Sequence, residues 1–82
     1  MKASVDISMY PLDKDYKTFI LAYISELKKY DEIKVLSNTM STQVFGEYDR
    51  LMEILAIENK KAMLKDSAMV IISKLVNADL RP

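Results

Sequence analysis

The sequence predicts a small α+β domain whose elements run in the order β-α-β-β-α-β. Three observations carry that prediction. Apolar residues repeat with a period of two near the start of the chain and form a continuous run near its end, they repeat with a helical period in two longer stretches between, and Pro11 and Gly46 fall at element boundaries. With 82 residues, half of them apolar, the chain suffices for one hydrophobic core and is too short for two, so one domain over residues 1–82 is expected.

Residues 4–10 alternate, with Val5, Ile7 and Met9 on one side and Ser4, Asp6, Ser8 and Tyr10 on the other, the pattern of a half-buried strand that Pro11 ends. Asp13 is placed to cap the next helix, and Asp15 lies near its positive end. Over residues 14–30, Tyr16, Ile20, Tyr23, Ile24 and Leu27 form one apolar stripe, while Lys17, Glu26, Lys28 and Lys29 fall elsewhere. Asp31 and Glu32 break the helix. Residues 33–38 and 42–45, rich in β-branched side chains, then read as a hairpin with its tip at residues 38–41.

Gly46 ends the second hairpin strand, where unusual backbone angles are expected. Leu51, Met52, Leu55, Ala62 and Met63 supply the buried side of a second helix, and Ile54 and Ile57 widen its stripe enough to serve an interface. Residues 68–76 are an apolar run interrupted only by Ser73 and Lys74, a last strand, and residues 77–82 form a polar tail. Right-handed crossovers around a central hairpin make this order a ferredoxin-like sandwich: a four-stranded antiparallel sheet with both helices on one face. The other face is left uncovered, exposing Ser4, Asp6, Ser8 and Tyr10. The final strand lies at the border of this sheet, which explains Lys74 as an edge residue.

Twelve basic residues balance twelve acidic ones, so no net field draws the protein to phosphate backbones or anionic lipid, and nucleic acid is not an expected partner. No stretch approaches the ~18 apolar residues of a membrane helix, and the first residues lack the apolar run of a secretory signal, so a cytoplasmic location is expected. A chain without cysteine or histidine has no thiol nucleophile, no disulfide and none of the commonest general base or metal ligand, which argues against an enzyme. No cofactor or metal is expected. A domain this small is marginal alone, so association with a second copy, as a dimer or tetramer, is expected.

A more specific signal lies in the strings Ile7-Ser8-Met9-Tyr10-Pro11-Leu12, Asp15-Tyr16, and the run from Asn38 through Met40-Ser41-Thr42-Gln43-Val44-Phe45-Gly46 to Tyr48. Together they resemble the YkoF-type thiamine and hydroxymethylpyrimidine-binding family, from about Val5 to Leu75. The resemblance implies the ferredoxin-like fold, thiamine or hydroxymethylpyrimidine as ligand, a role in salvage or uptake, and assembly through sheet faces or edges. Better-known members carry two such domains in tandem, whereas this chain supplies one; a homodimer can replace the pair, with the site then shared between chains.

Thiamine combines an aminopyrimidine of alternating donors and acceptors, a cationic thiazolium and a hydroxyl, so its pocket needs polar edges, flat faces and some negative charge. Asn38 offers a donor and an acceptor on one amide, and Ser41 and Thr42 offer hydroxyls, although Asn and Ser at a hairpin tip also make local turn bonds. Tyr10 is suited to stack on a ring or hold the cation, with Tyr16 assisting, and Met40 to line the pocket; subunit contact and core packing are the ordinary alternatives for all three. Asp6 and Asp15 are available to balance a cationic ligand, against a lysine pairing for Asp6 and the helix dipole for Asp15. The competing reading is a structural or regulatory interaction domain that oligomerises through its open sheet face.

Overall fold

In the computed structural model, which describes residues 1–12, 16–65 and 68–82, the alternating amino-terminal segment forms β1 (Lys2–Pro11). The remaining elements are α1 (Tyr16–Leu27), β2 (Lys34–Ser37), β3 (Thr42–Glu47), α2 (Tyr48–Met63) and β4 (Met69–Val76). The sheet order is β2-β3-β1-β4, with every neighbouring pair antiparallel. This is the ferredoxin-like arrangement, and it puts β1 at the centre with β2 and β4 at the edges.

The period of two divides the sheet into a helical face and an open face. Val5 and Ile7 of β1 and Val44 of β3 point to the helices, where they meet Tyr23 and Leu27 of α1 and Leu51, Ile54 and Leu55 of α2. Full burial of each such aliphatic side chain contributes about 1.5–3 kcal/mol, and these residues form the single core that positions everything else. α1 packs on β1 and β2, and α2 on β1 and β3.

Four details depart from the sequence expectations or add to them. In α2, Ile54 is part of the core and not a widening of its stripe, while Ile57 and Met63 are exposed and Glu58 is buried on the inner side. Glu58 follows Leu51 and Ile54 by seven and four residues, so helical geometry carries it inward regardless of its charge. Gly46 lies inside β3 and no residue has a positive φ among the described residues; its requirement is space, since a Cβ there would stand 3.0 Å from Ile33 Cγ2. Glu47 is the N-cap residue of α2 but makes no side-chain cap bond, and its carboxylate instead meets the amino-terminal ammonium at 3.1 Å.

The fourth difference is on the open face, which is not bare. The tail returns across the end of the sheet and clasps Ser4, whose hydroxyl donates to the Ala78 carbonyl at 2.7 Å and accepts from the Leu80 N–H at 2.9 Å. Ser4, expected to be exposed, is therefore buried. Asp13 and Asp15, expected at the start of α1, lie outside the described residues.

Candidate functional site: the open sheet face

Cross-strand register assembles the open face in rows. Asp6 sits between Gln43 of β3 and Lys74 of β4, and Ser4 sits between Phe45 and Val76. Further along, Ser8 is paired with Ile72 and Tyr10 with Val70. Leu80 of the returning tail closes one side, and the result is a cavity of about 200 Å³ lined by Asp6, Gln43, Phe45, Lys74, Val76 and Leu80, among others. That volume approaches the lower end of the ~300–1,000 Å³ typical of small-molecule pockets.

The chemistry of this cavity is uneven. Phe45, Val76 and Leu80 give it apolar walls, Gln43 brings an amide, and Asp6 with Lys74 brings one charge of each sign. Asp6 Oδ1 is buried without a hydrogen-bond partner among the described residues. Buried polar atoms are nearly always paired, and an unmet acceptor costs about 1–3 kcal/mol.

The hairpin tip builds a second, smaller cleft on the helical side. Asn38, Met40, Ser41 and Thr42 come together there with Ile7, Met9, Ile20 and Tyr23 around about 70 Å³. The Asn38 backbone N–H donates to the Ser41 carbonyl at 3.1 Å. Its side-chain oxygen accepts from the backbone N–H groups of Met40 at 2.7 Å and Ser41 at 3.0 Å, an Asx turn that holds the tip in shape. This local bonding occupies the amide's acceptor. Met40 is exposed, and Thr42 is buried.

Between the helices lies a narrow polar seam. The Tyr23 hydroxyl donates to Asn59 Oδ1 at 2.5 Å, and the Tyr30 hydroxyl donates to the buried Glu58 carboxylate at 2.7 Å. Burial, reinforced by the Glu58 charge, pushes the Tyr23 hydroxyl pKa upward; the hydrogen bond to Glu58 raises that of Tyr30. Lys61 Nζ completes the surroundings of Glu58 at 3.4 Å. Here the polar groups satisfy one another, which is the signature of a structural lock.

Of the residues singled out from the sequence, the four of the hairpin tip meet in one cleft. Tyr10 stands apart from them on the open face, 53% exposed, and Tyr16 opens α1. Asp6 is the sequence candidate that lands in the larger cavity. Gln43, Phe45, Val76 and Leu80 were not singled out for chemistry; alternation about Val44 is the signal that places Gln43 and Phe45 beside Asp6, whereas no local pattern reveals that the tail brings Leu80 there. Among the described residues no helix is long and apolar enough to cross a membrane.

No known family matches the sequence, and no curated protein matches it either. Solved structures do share its fold. A Streptococcus pneumoniae protein superposes with a TM-score of 0.86 at 23% identity, covering 98% of this chain and 90% of its own. A Thermotoga maritima protein provisionally assigned to thiamine biosynthesis/salvage gives 0.83 at 18% identity, covering 95% of this chain and 85% of its own. A domain of unknown function from Bacillus cereus gives 0.78 at 14% identity, covering 98% and 79%. At these identities the likeness is one of fold.

Proposed function

We propose that this chain is a non-catalytic binding module for thiamine or its hydroxymethylpyrimidine moiety, of the YkoF type, serving vitamin salvage, uptake or delivery in the cytoplasm as a homo-oligomer. The observation that carries this reading is the open-face cavity, where Asp6 and Gln43 stand beside the apolar walls of Phe45, Val76 and Leu80. A 4-aminopyrimidine presents an exocyclic N–H for the Asp6 carboxylate, a ring nitrogen for the Gln43 amide, and a flat apolar face for the Phe45 wall. The provisional salvage assignment of the Thermotoga neighbour and the sequence resemblance support the same ligand class.

Titration calorimetry with hydroxymethylpyrimidine, thiamine and thiamine phosphate tests the proposal. Saturable heat with at least one, lost in an Asp6 variant that remains folded, is the expected result. Absence of heat with all three, together with an unshifted melting temperature, overturns it. A second reading is favoured by one specific observation, the exposed Val70 and Ile72 on the same face. In that reading the face is an interaction surface for protein and takes no small molecule.

A further inference from the structure

Phe45 breaks the division of the sheet into a packed face and an open one. Alternation about Val44, which belongs to the core, turns Phe45 to the side without helices, yet the residue is only 3% exposed and is not part of the core cluster. In its row across the sheet Phe45 stands between Lys34, which is exposed, and Ser4, whose side chain is too short to reach over an aromatic ring. The tail crosses that row. Among the described residues, the hydrogen bonds that tie residues 78–81 to the rest of the chain both end on the Ser4 hydroxyl, while the bonds from Arg81 to the Asp79 carboxylate stay within the tail. Leu80, held over Ser4 in this way, lines the cavity beside Phe45 and Val76 and is itself 59% exposed.

We propose that the tail is a self-covering strap: Leu80 occupies the apolar ground on Phe45 that a flat ring would take, and the open-face cavity reaches its binding form when the tail lets go of Ser4. The competing ring rests on the binding function proposed above; the covering of Phe45 stands without it. A ligand that stacks on Phe45 needs one face of its ring, and a residue so little exposed offers none, so ligand and strap compete for the same surface. The cavity in its strapped form, about 200 Å³, also falls short of the ~300–1,000 Å³ typical of small-molecule pockets, and withdrawing Leu80 from its wall enlarges it.

The strap is the part of this face that yields first. Its hold is one hydroxyl and one half-exposed leucine, whereas β1, β3 and β4 are fixed by continuous antiparallel ladders. Segments with few buried apolar contacts open while the rest of a domain stays folded. A covered site lowers the apparent affinity by the fraction of molecules that are open, so whatever loosens the strap tightens binding.

Two variants of the full chain loosen it without touching the core between sheet and helices: Ser4→Ala removes both bonds, and Leu80→Ser removes the apolar cover. Both are expected to keep the native circular dichroism. Fluorine NMR reads the covering with no ligand present, because the chain has only two phenylalanines and takes 4-fluorophenylalanine at both with little change of shape; Phe45→Leu assigns the signals. The Phe45 resonance is expected to be insensitive to exchange of H2O for D2O in the wild type and to gain a solvent isotope shift in both variants. Calorimetry with hydroxymethylpyrimidine is then expected to give a Kd about tenfold lower for Leu80→Ser than for the wild type. A Phe45 signal that already senses solvent in the wild type, or that senses it in neither variant, overturns the covering. Variants that uncover Phe45 yet bind hydroxymethylpyrimidine no more tightly than the wild type overturn the competition, since Leu80 would then be a wall that helps to hold the ring. Absence of heat from the wild type and both variants overturns the ligand and the competition together, and the fluorine signal still reads the strap, so the failure of one proposal is distinguishable from failure of the other.

Discussion

Replacing Asp6 by valine separates stability from binding, because the same carboxylate bears on both. Asp6 Oδ1 is buried without a partner among the described residues, and its removal relieves an unmet acceptor worth about 1–3 kcal/mol. Valine also suits the centre of a strand better than aspartate, on a scale spanning about 1 kcal/mol, and it packs beside the apolar Val76 and Leu80 that line the same cavity. Set against these gains is the loss of any attraction between Asp6 and Lys74, its cross-strand neighbour. For partly exposed groups that loss is about 0.2–1 kcal/mol. The net expectation is a stabilisation of about 1–2 kcal/mol, or an increase in Tm of roughly 4–8 °C per kcal/mol for a domain of this size. The ligand loses its anchor at the same time: a hydrogen bond to a charged acceptor is worth about 1.5–3 kcal/mol, a ten- to hundredfold increase in Kd for hydroxymethylpyrimidine. Thermal melts and calorimetric titration of Asp6→Val beside the wild type read both quantities. A variant that melts lower than wild type would refute the reasoning at its root, since the carboxylate would then already be satisfied and would hold no acceptor in reserve. A variant that is more stable yet binds unchanged would leave the cavity but remove the ligand from it.

The other regions yield sharper structural tests. Gly46→Ala drives a Cβ toward Ile33 Cγ2, with an overpacking cost of about 1–3 kcal/mol offset by roughly 0.4–1 kcal/mol of unfolded-state entropy; a lower Tm is expected, and recovery in the Ile33→Ala background identifies the clash. Ser4→Ala removes both tail bonds and is expected to speed carboxypeptidase removal of the last residues, leaving the melting curve within about 1–2 kcal/mol of wild type; unchanged proteolysis would mean that the tail is held by other contacts. Asn38→Ala abolishes the Asx turn, so a loss of about 1 kcal/mol of stability with ligand affinity unaltered is expected, whereas a large affinity loss would move the site to the hairpin cleft. Glu32 is held below its ordinary carboxylate range chiefly by the hydrogen bond from Arg50. A depressed folded pKa stabilises above the unfolded value and is lost as pH falls through it, so the Tm of wild type should fall more steeply than that of Glu32→Gln below about pH 4.5.

How much of the fold was legible in the sequence is clearest in β1. Its strict alternation decided which side chains face the helices before any partner strand was known, because a pleated strand allows no other division. The same local logic located α1, the hairpin tip and the last strand, each within a few residues of its bounds. It misjudged Gly46, whose requirement comes from Ile33 on a neighbouring segment, and it overlooked Glu58, whose burial depends on a tyrosine 28 residues away. The hairpin residues meet at one tip, yet their amide acceptor is taken up by their own turn, a choice the isolated string left open.

The sequence by itself determined the order of elements, the polarity of the two sheet faces and the absence of thiol and imidazole chemistry, since each follows from periodicity or residue type. Only the tertiary structure decided that Gln43, Asp6 and Lys74 stand in one row, that the tail returns to Ser4 over a separation of 74 residues, and that β4 rather than β2 presents the longer unpaired edge. Those relations join residues distant along the chain. Cross-strand register and the packing of the common core bring them together, and no local pattern carries that information.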